Sequence, residues 1–95
     1  MFIVNLTYIV ALDQVDQHIP AHIDFLNAQY AAGHFLASGR KVPRTGGIIL
    51  ANAASLETLA AILEQDPFKQ NNLADYEVIE FVPSKASDEL QFLIS

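Results

Sequence analysis

The chain has no cysteine among its 95 residues. Disulfides, thiolate metal sites and cysteine nucleophiles are excluded together. A reducing compartment suits such a chain, and a cytoplasmic location is expected. Positive charge is also scarce: five Lys and Arg stand against eleven Asp and Glu, for a formal net charge of −6. A surface of that sign repels phosphate backbones, so no nucleic-acid partner is expected. No apolar run reaches the roughly 18 residues of a spanning helix, which argues against a membrane role. The opening residues, Phe2 to Thr7, show neither a basic leader nor a small-residue cleavage site, so a signal peptide is not expected. Several catalytic signatures are missing as well. Gly46-Gly47 lacks the lysine of a phosphate-binding loop and opens no GxGxxG helix. Ser38 lacks the GxSxG elbow of a hydrolase.

Apolar residues, by contrast, are abundant. They make up 52% of the chain, only 17% is charged, and mean hydropathy is positive. A single domain this small hides only part of its surface. With no membrane span to absorb the surplus, a homodimer or higher homo-oligomer with an apolar interface is expected.

Residues 2–10 are rich in β-branched and aromatic types and predict a strand with one apolar face. Residues 12–16 read as a polar connection. A helix follows, with Ile19, Ile23, Leu26 and Tyr30 as its buried stripe, Pro20 in its first turn and Gly33 as a left-handed cap. Residues 35–39 predict a second strand and residues 40–47 a hairpin-type loop. The unbroken apolar run Ile48 to Ala51 predicts a buried central strand. Ser55 is placed to cap a second helix with Leu56, Leu59, Ala60 and Leu63 facing inward. Asp66-Pro67 opens a short turn or helix to about residue 72, and a fourth strand runs from Tyr76 to Val82. The order β-α-β-β-α-β predicts an α+β, ferredoxin-like fold: a four-stranded antiparallel sheet with two helices on one face. Its other face is left bare, and a second copy is the simplest cover. Residues 1–83 form the expected domain, and residues 84–95 a C-terminal tail that could lie at a dimer interface.

Two residues in this order could meet and do acid–base chemistry. With Ile23 at the centre of the helical wheel, His22 falls at the margin of the buried stripe. A half-buried histidine beside a carboxylate can be held in one tautomer and exchange protons near neutral pH. Asp66 sits at the end of the second helical unit, on the same side of the sheet. Plainer readings stand beside this one: His22 as a packing residue, and Asp66 as the N-cap of a helix with Pro67 in its first turn. Arg40, Lys41 and Arg44 gather three of the five cations near Ser38. They could attract a carboxylate or phosphate on a small ligand, or simply form a solvated loop. Phe68, Tyr30 and Tyr8 serve as core aromatics or as the wall of a pocket. His18 and His22 have metal-ligand spacing without a third ligand, so no metal site is expected. His34 follows the helix-ending glycine and fits a structural role there.

Several of these stretches together resemble the YCII-related family: His22 to Gly33, Phe35 to Gly39, Gly46-Gly47 leading into Ile48 to Ala51, Asp66-Pro67-Phe68, and the closing strand from Tyr76. The resemblance spans about residues 1–83. It implies a ferredoxin-like domain in a dimeric α/β barrel, with His22 and Asp66 at the positions of the family's proposed catalytic pair and Ser38 near its cleft. One branch of the family is similar to a dehydrochlorinase acting on a chlorinated hydroxyquinol, and the wider superfamily includes isomerases and monooxygenases that need no metal. Where many relatives carry proline after Gly39, this chain has Arg40, which alters the mouth of the cleft.

Two functions follow as expectations. One is a cofactor-independent lyase or isomerase: His22 and Asp66 are the catalytic pair, Ser38, Arg40, Arg44 and Phe68 contact a small, cyclic, anionic substrate, and neither cofactor nor metal takes part. The alternative is a non-catalytic dimeric module that binds a small ligand or plays a structural part.

Overall fold

The computed structural model describes residues 1–94. Strand β1 (Phe2–Tyr8) leads through helices α1 (Leu12–Gln17) and α2 (Ile19–Ala31) to strand β2 (Phe35–Arg40). Strand β3 (Gly46–Ala51), helices α3 (Leu56–Leu63) and α4 (Pro67–Gln70), and strand β4 (Ala74–Glu80) follow. The strands pair antiparallel in the order β2-β3-β1-β4, which is the expected ferredoxin-like α+β fold.

Alternation along β1 creates the two sides of the sheet. Phe2, Val4 and Leu6 are buried with Phe25, Leu59, Ile62, Leu63 and Phe68 from the helices. Ile3, Asn5 and Thr7 point to the opposite face. A bulge between Phe35 and Ala37 sets the phase of β2. It lets Phe35 and Ser38 share the helix-bearing face although they are an odd number of residues apart. Ser38 is thereby registered with Ile49, and Arg40 with Gly47. Gly46 is required at its place in β3, because a Cβ there would collide with the Leu6 carbonyl.

The predicted end signals hold. Pro20 lies in the first turn of α2, Gly33 takes φ +81° just after it, and Ser55 Oγ accepts from Thr58 N at 3.1 Å. Other details differ. Residues 12–16 belong to helix α1 and are not a plain connection; that segment is anchored by fully buried Val15. With so few apolar residues, its helicity depends on this tertiary contact and not on its own periodicity. Strands β2 and β3 extend toward each other, so the hairpin loop shortens to residues 41–45 and turns through a cis Val42–Pro43 bond. Strand β3 is buried on one face only, leaving Ile48 half-exposed. Strand β4 starts and ends two residues early, leaving Phe81 and Val82 outside it. In α3 the buried positions are Leu59, Ile62 and Leu63, while Leu56 is exposed. The tail forms a 3-10 helix over Asp88–Leu93, and its final residue, Ser95, lies outside the described residues.

The difference that matters most for function is a rotation of α2. Ile23 and Tyr30, expected inside, are 46% and 37% exposed. The inward face is His22, Phe25, Leu26 and Gln29. Phe25 anchors it by packing edge-to-face on Phe35, with ring centroids 5.8 Å apart. One large aromatic ring outweighs a β-branched side chain in area removed from water. His22 therefore lies on the inward line of the helix, not at its margin.

Candidate functional site

His22 comes from the first turns of α2, where its N–H bonds to the His18 carbonyl at 3.0 Å. Its side chain is 12% exposed. Asp66 is the N-cap of α4 and is wholly buried. The two meet: His22 Nδ1 donates to Asp66 Oδ1 at 2.7 Å. The same oxygen accepts from Phe68 N at 3.0 Å, so Asp66 caps the helix and holds the histidine at once. Its second oxygen, Oδ2, accepts from the Tyr76 hydroxyl at 2.5 Å. Burial of an unpaired carboxylate is costly; three donors on two oxygens offset much of that cost. The carboxylate can only accept from its partners, which places the imidazole proton on Nδ1. Nε2 is left with no protein partner among the described residues.

Phe68 fixes the imidazole plane. Its ring stacks flat on His22, 3.9 Å away and inclined by 2°. Tyr8 packs on the edge of Phe68 at 6.0 Å. Phe68 is thus both a core residue and the immediate support of His22. Burial, reinforced by the neighbouring Asp66 charge, pushes the Tyr76 phenol well above its ordinary value, so it remains a proton donor.

His22 and Phe68 form one wall of a cleft of about 400 Å³ between α2 and the β2–β3 end of the sheet. That volume falls in the range of roughly 300–1,000 Å³ typical of small-ligand sites. Ser38, Arg40 and Arg44 line the same cleft, together with Asp16. Arg44 donates to Asp16 at 2.5 Å, a bond that holds its guanidinium pKa above the ordinary value. Ser38 Oγ and Tyr30 OH are 2.6 Å apart, joining α2 to β2. Lys41 turns elsewhere and donates to Thr7 Oγ1 at 3.1 Å. His34 Nδ1 and Gln29 Oε1 are 2.8 Å apart at the end of α2, the structural tie expected there. Among the described residues, no three His, Asp or Glu side chains gather in a way that could hold a metal ion. No helix among them is long and apolar enough to cross a membrane.

Tyr76 and Asp16 are the site residues that sequence reasoning passed over. The signal for Tyr76 was its inward parity with Ala74 and Val78 in β4, since a phenol on a buried face needs a partner for its hydroxyl. Asp16 gave no signal, because its role depends on α1 being a helix.

No curated protein matches this chain. Among solved structures it is similar to the 5-chloro-2-hydroxyhydroquinone dehydrochlorinase of Burkholderia phenoliruptrix, solved in complex with 2,5-dihydroxybenzoquinone. The match has a TM-score of 0.73 and 20% sequence identity, covering 84% of this chain and 91% of that one; at this identity the likeness is one of fold. The YCII-related domain model matches residues 1–82. With a sheet, a cleft and a sequence match that span nearly the whole chain, this protein belongs to the YCII-related family.

Proposed function

We propose that the chain is a lyase or isomerase that moves a proton on a small, cyclic, anionic substrate without a cofactor. The observation that carries this reading is the His22–Asp66 hydrogen bond at the wall of a ligand-sized cleft. His22 Nε2 takes or delivers the proton, and Asp66 orients the ring and stabilises its cation. Arg40 and Arg44 draw the anion inward, Ser38 offers it a hydroxyl, and Phe68 keeps the imidazole flat. The likeness in fold to a dehydrochlorinase supports an elimination as the type of reaction. The test is His22→Asn assayed on chlorinated hydroxyquinols and related cyclic anions. Turnover should be lost with the fold retained, and unchanged turnover would refute the role of His22.

The working unit in this proposal is a homodimer in the cytoplasm. The sheet face away from the helices presents Ile3, Ile48, Leu50 and Ile79, the second and fourth of these substantially exposed. On the same face, Asn5 Oδ1 is buried with no donor among the described residues. A second copy would cover the apolar surface and could supply that donor. In this proposal the tail beyond residue 83, whose Leu90 and Phe92 are exposed, lies against the second copy. A sedimentation experiment showing only monomer at micromolar concentration would remove the dimer. A second reading, a ligand-binding module without catalysis, is favoured by the capping role of Asp66, which gives that carboxylate a structural task independent of any reaction.

A further inference from the structure

The His22–Asp66 contact has a third member. Tyr76 lies on β4, across the site from α2, and its hydroxyl reaches Asp66 Oδ2 at 2.5 Å. That oxygen accepts from no other described group, whereas Oδ1 serves both His22 Nδ1 and Phe68 N. Left to itself, a carboxylate can turn about its last torsion and exchange its two oxygens. Here Oδ2 is tethered to the sheet, so Oδ1 is the oxygen that faces the helix. We propose that Tyr76 is a positioning residue for His22: its O–H bond to Asp66 locks the carboxylate, and the locked carboxylate holds the imidazole as the Nδ1–H tautomer with Nε2 free toward the cleft.

This rests on the reading of His22 as the proton-handling group, but its test does not need turnover. The Tyr76 ring is itself held in place. Lys69 Nζ lies 5.3 Å from its centroid while pairing with Glu64 at 3.2 Å. Burial keeps the phenol protonated, so the hydroxyl donates throughout the range in which histidine works. The chain of contacts ties the imidazole to two separate elements. Asp66 caps α4 and Tyr76 belongs to β4, so the orientation of His22 on α2 is set by three parts of the fold, not by one flexible side chain.

The experiment is nitrogen-15 NMR of the histidine rings in the full chain without ligand, comparing wild type, Tyr76→Phe and a chain with a ring-fluorinated, more acidic tyrosine at position 76. Wild type should show His22 as a single Nδ1–H tautomer with a slowly exchanging ring proton. In Tyr76→Phe the ring proton should exchange at least about tenfold faster and the Nε2–H tautomer should appear, because a bond to a charged acceptor has been removed. The fluorinated ring, a stronger donor, should leave the tautomer single and slow the exchange. It also keeps the proposal testable should Tyr76→Phe fail to fold. An unchanged tautomer and exchange rate in a folded Tyr76→Phe protein would overturn the proposal, as would a fluorinated chain in which exchange does not slow. Loss of turnover with the NMR signature intact would count against the proposed reaction and leave the positioning role standing.

Discussion

The two walls of the cleft are built on opposite principles. On the α4 side, His22, Asp66, Phe68 and Tyr76 are buried or nearly so, and both carboxylate oxygens are occupied. On the hairpin side, Arg40 is exposed and makes no ion pair among the described residues, and Arg44 has a single partner across the opening. Charged groups are unfavourable to bury and comfortable in water. The first wall can therefore hold one geometry, and the second can give way to a ligand. A proton-transfer group needs the first property, because a misplaced imidazole loses contact with its substrate. Recognition of an anion needs the second.

If this contrast is right, damage to the buried wall costs most. Asp66→Ala should be the most severe change. It removes the helix cap, which is the bond to Phe68 N–H and is worth about 1 kcal/mol, and strands the Tyr76 hydroxyl and the His22 Nδ1–H, at about 1–3 kcal/mol for each buried donor. A loss of about 3–7 kcal/mol in denaturant unfolding is expected, with turnover abolished. A loss near 1 kcal/mol, about the value of a cap, would mean that the cap alone matters and would weaken the contrast. His22→Asn should divide the effects differently. A positioned acid–base group contributes about 100- to 10,000-fold to a rate, so turnover should fall by that factor. The loss of stability should stay below that of Asp66→Ala, because the Asn amide can still donate to Asp66 and only the stack on Phe68 is lost.

Tyr76→Phe sharpens the comparison through pH. Because the folded state raises the phenol above its ordinary value near 10, the unfolded chain loses this proton first as pH rises. The stabilisation is present below that value and declines above it. Wild-type stability should therefore fall more steeply beyond about pH 10 than that of Tyr76→Phe, which has no phenol to ionise at that position. Parallel curves from the two proteins would show that Tyr76 is not held as described.

How much of this was legible beforehand differs between the walls. The order of strands, the caps at Ser55 and Asp66 and the glycine at residue 33 are local signals, and each was readable from residue type and spacing. The inward face of α2 was not. Ile23 and Phe25 offer competing stripes two residues apart, and only the packing of Phe25 on Phe35 decides between them. The cap and the histidine partner appeared as rival roles for Asp66, yet one carboxylate oxygen, Oδ1, accepts from both Phe68 N and His22 Nδ1 and so fills both. Tyr76 and Asp16 were missed for the same physical reason. Parity in β4 marks Tyr76 as inward, but the partner of each residue depends on which strand or helix lies opposite, and no pattern within β4 or α1 names that partner.

The smallest effects should come from the hairpin wall, and here the sign carries more information than the size. Arg44 and Asp16 are both at the surface, so their pairing adds little to folding, and Arg44→Ala should leave the melting temperature close to where it was. For an anionic ligand the two residues act oppositely. Arg44 attracts it, while Asp16 occupies the guanidinium and repels the ligand. Arg44→Ala should weaken binding about two- to fivefold and Asp16→Asn should strengthen it by a similar factor, as expected of exposed charges. Both shifts should shrink as salt rises, since the Debye length falls from about 10 Å at 0.1 M to about 3 Å at 1 M. Titration calorimetry at two salt concentrations reads all four values. Should Asp16→Asn weaken binding instead, Asp16 would be a ligand contact and not a competitor. The hairpin wall would then be held to one geometry as firmly as the wall that carries His22.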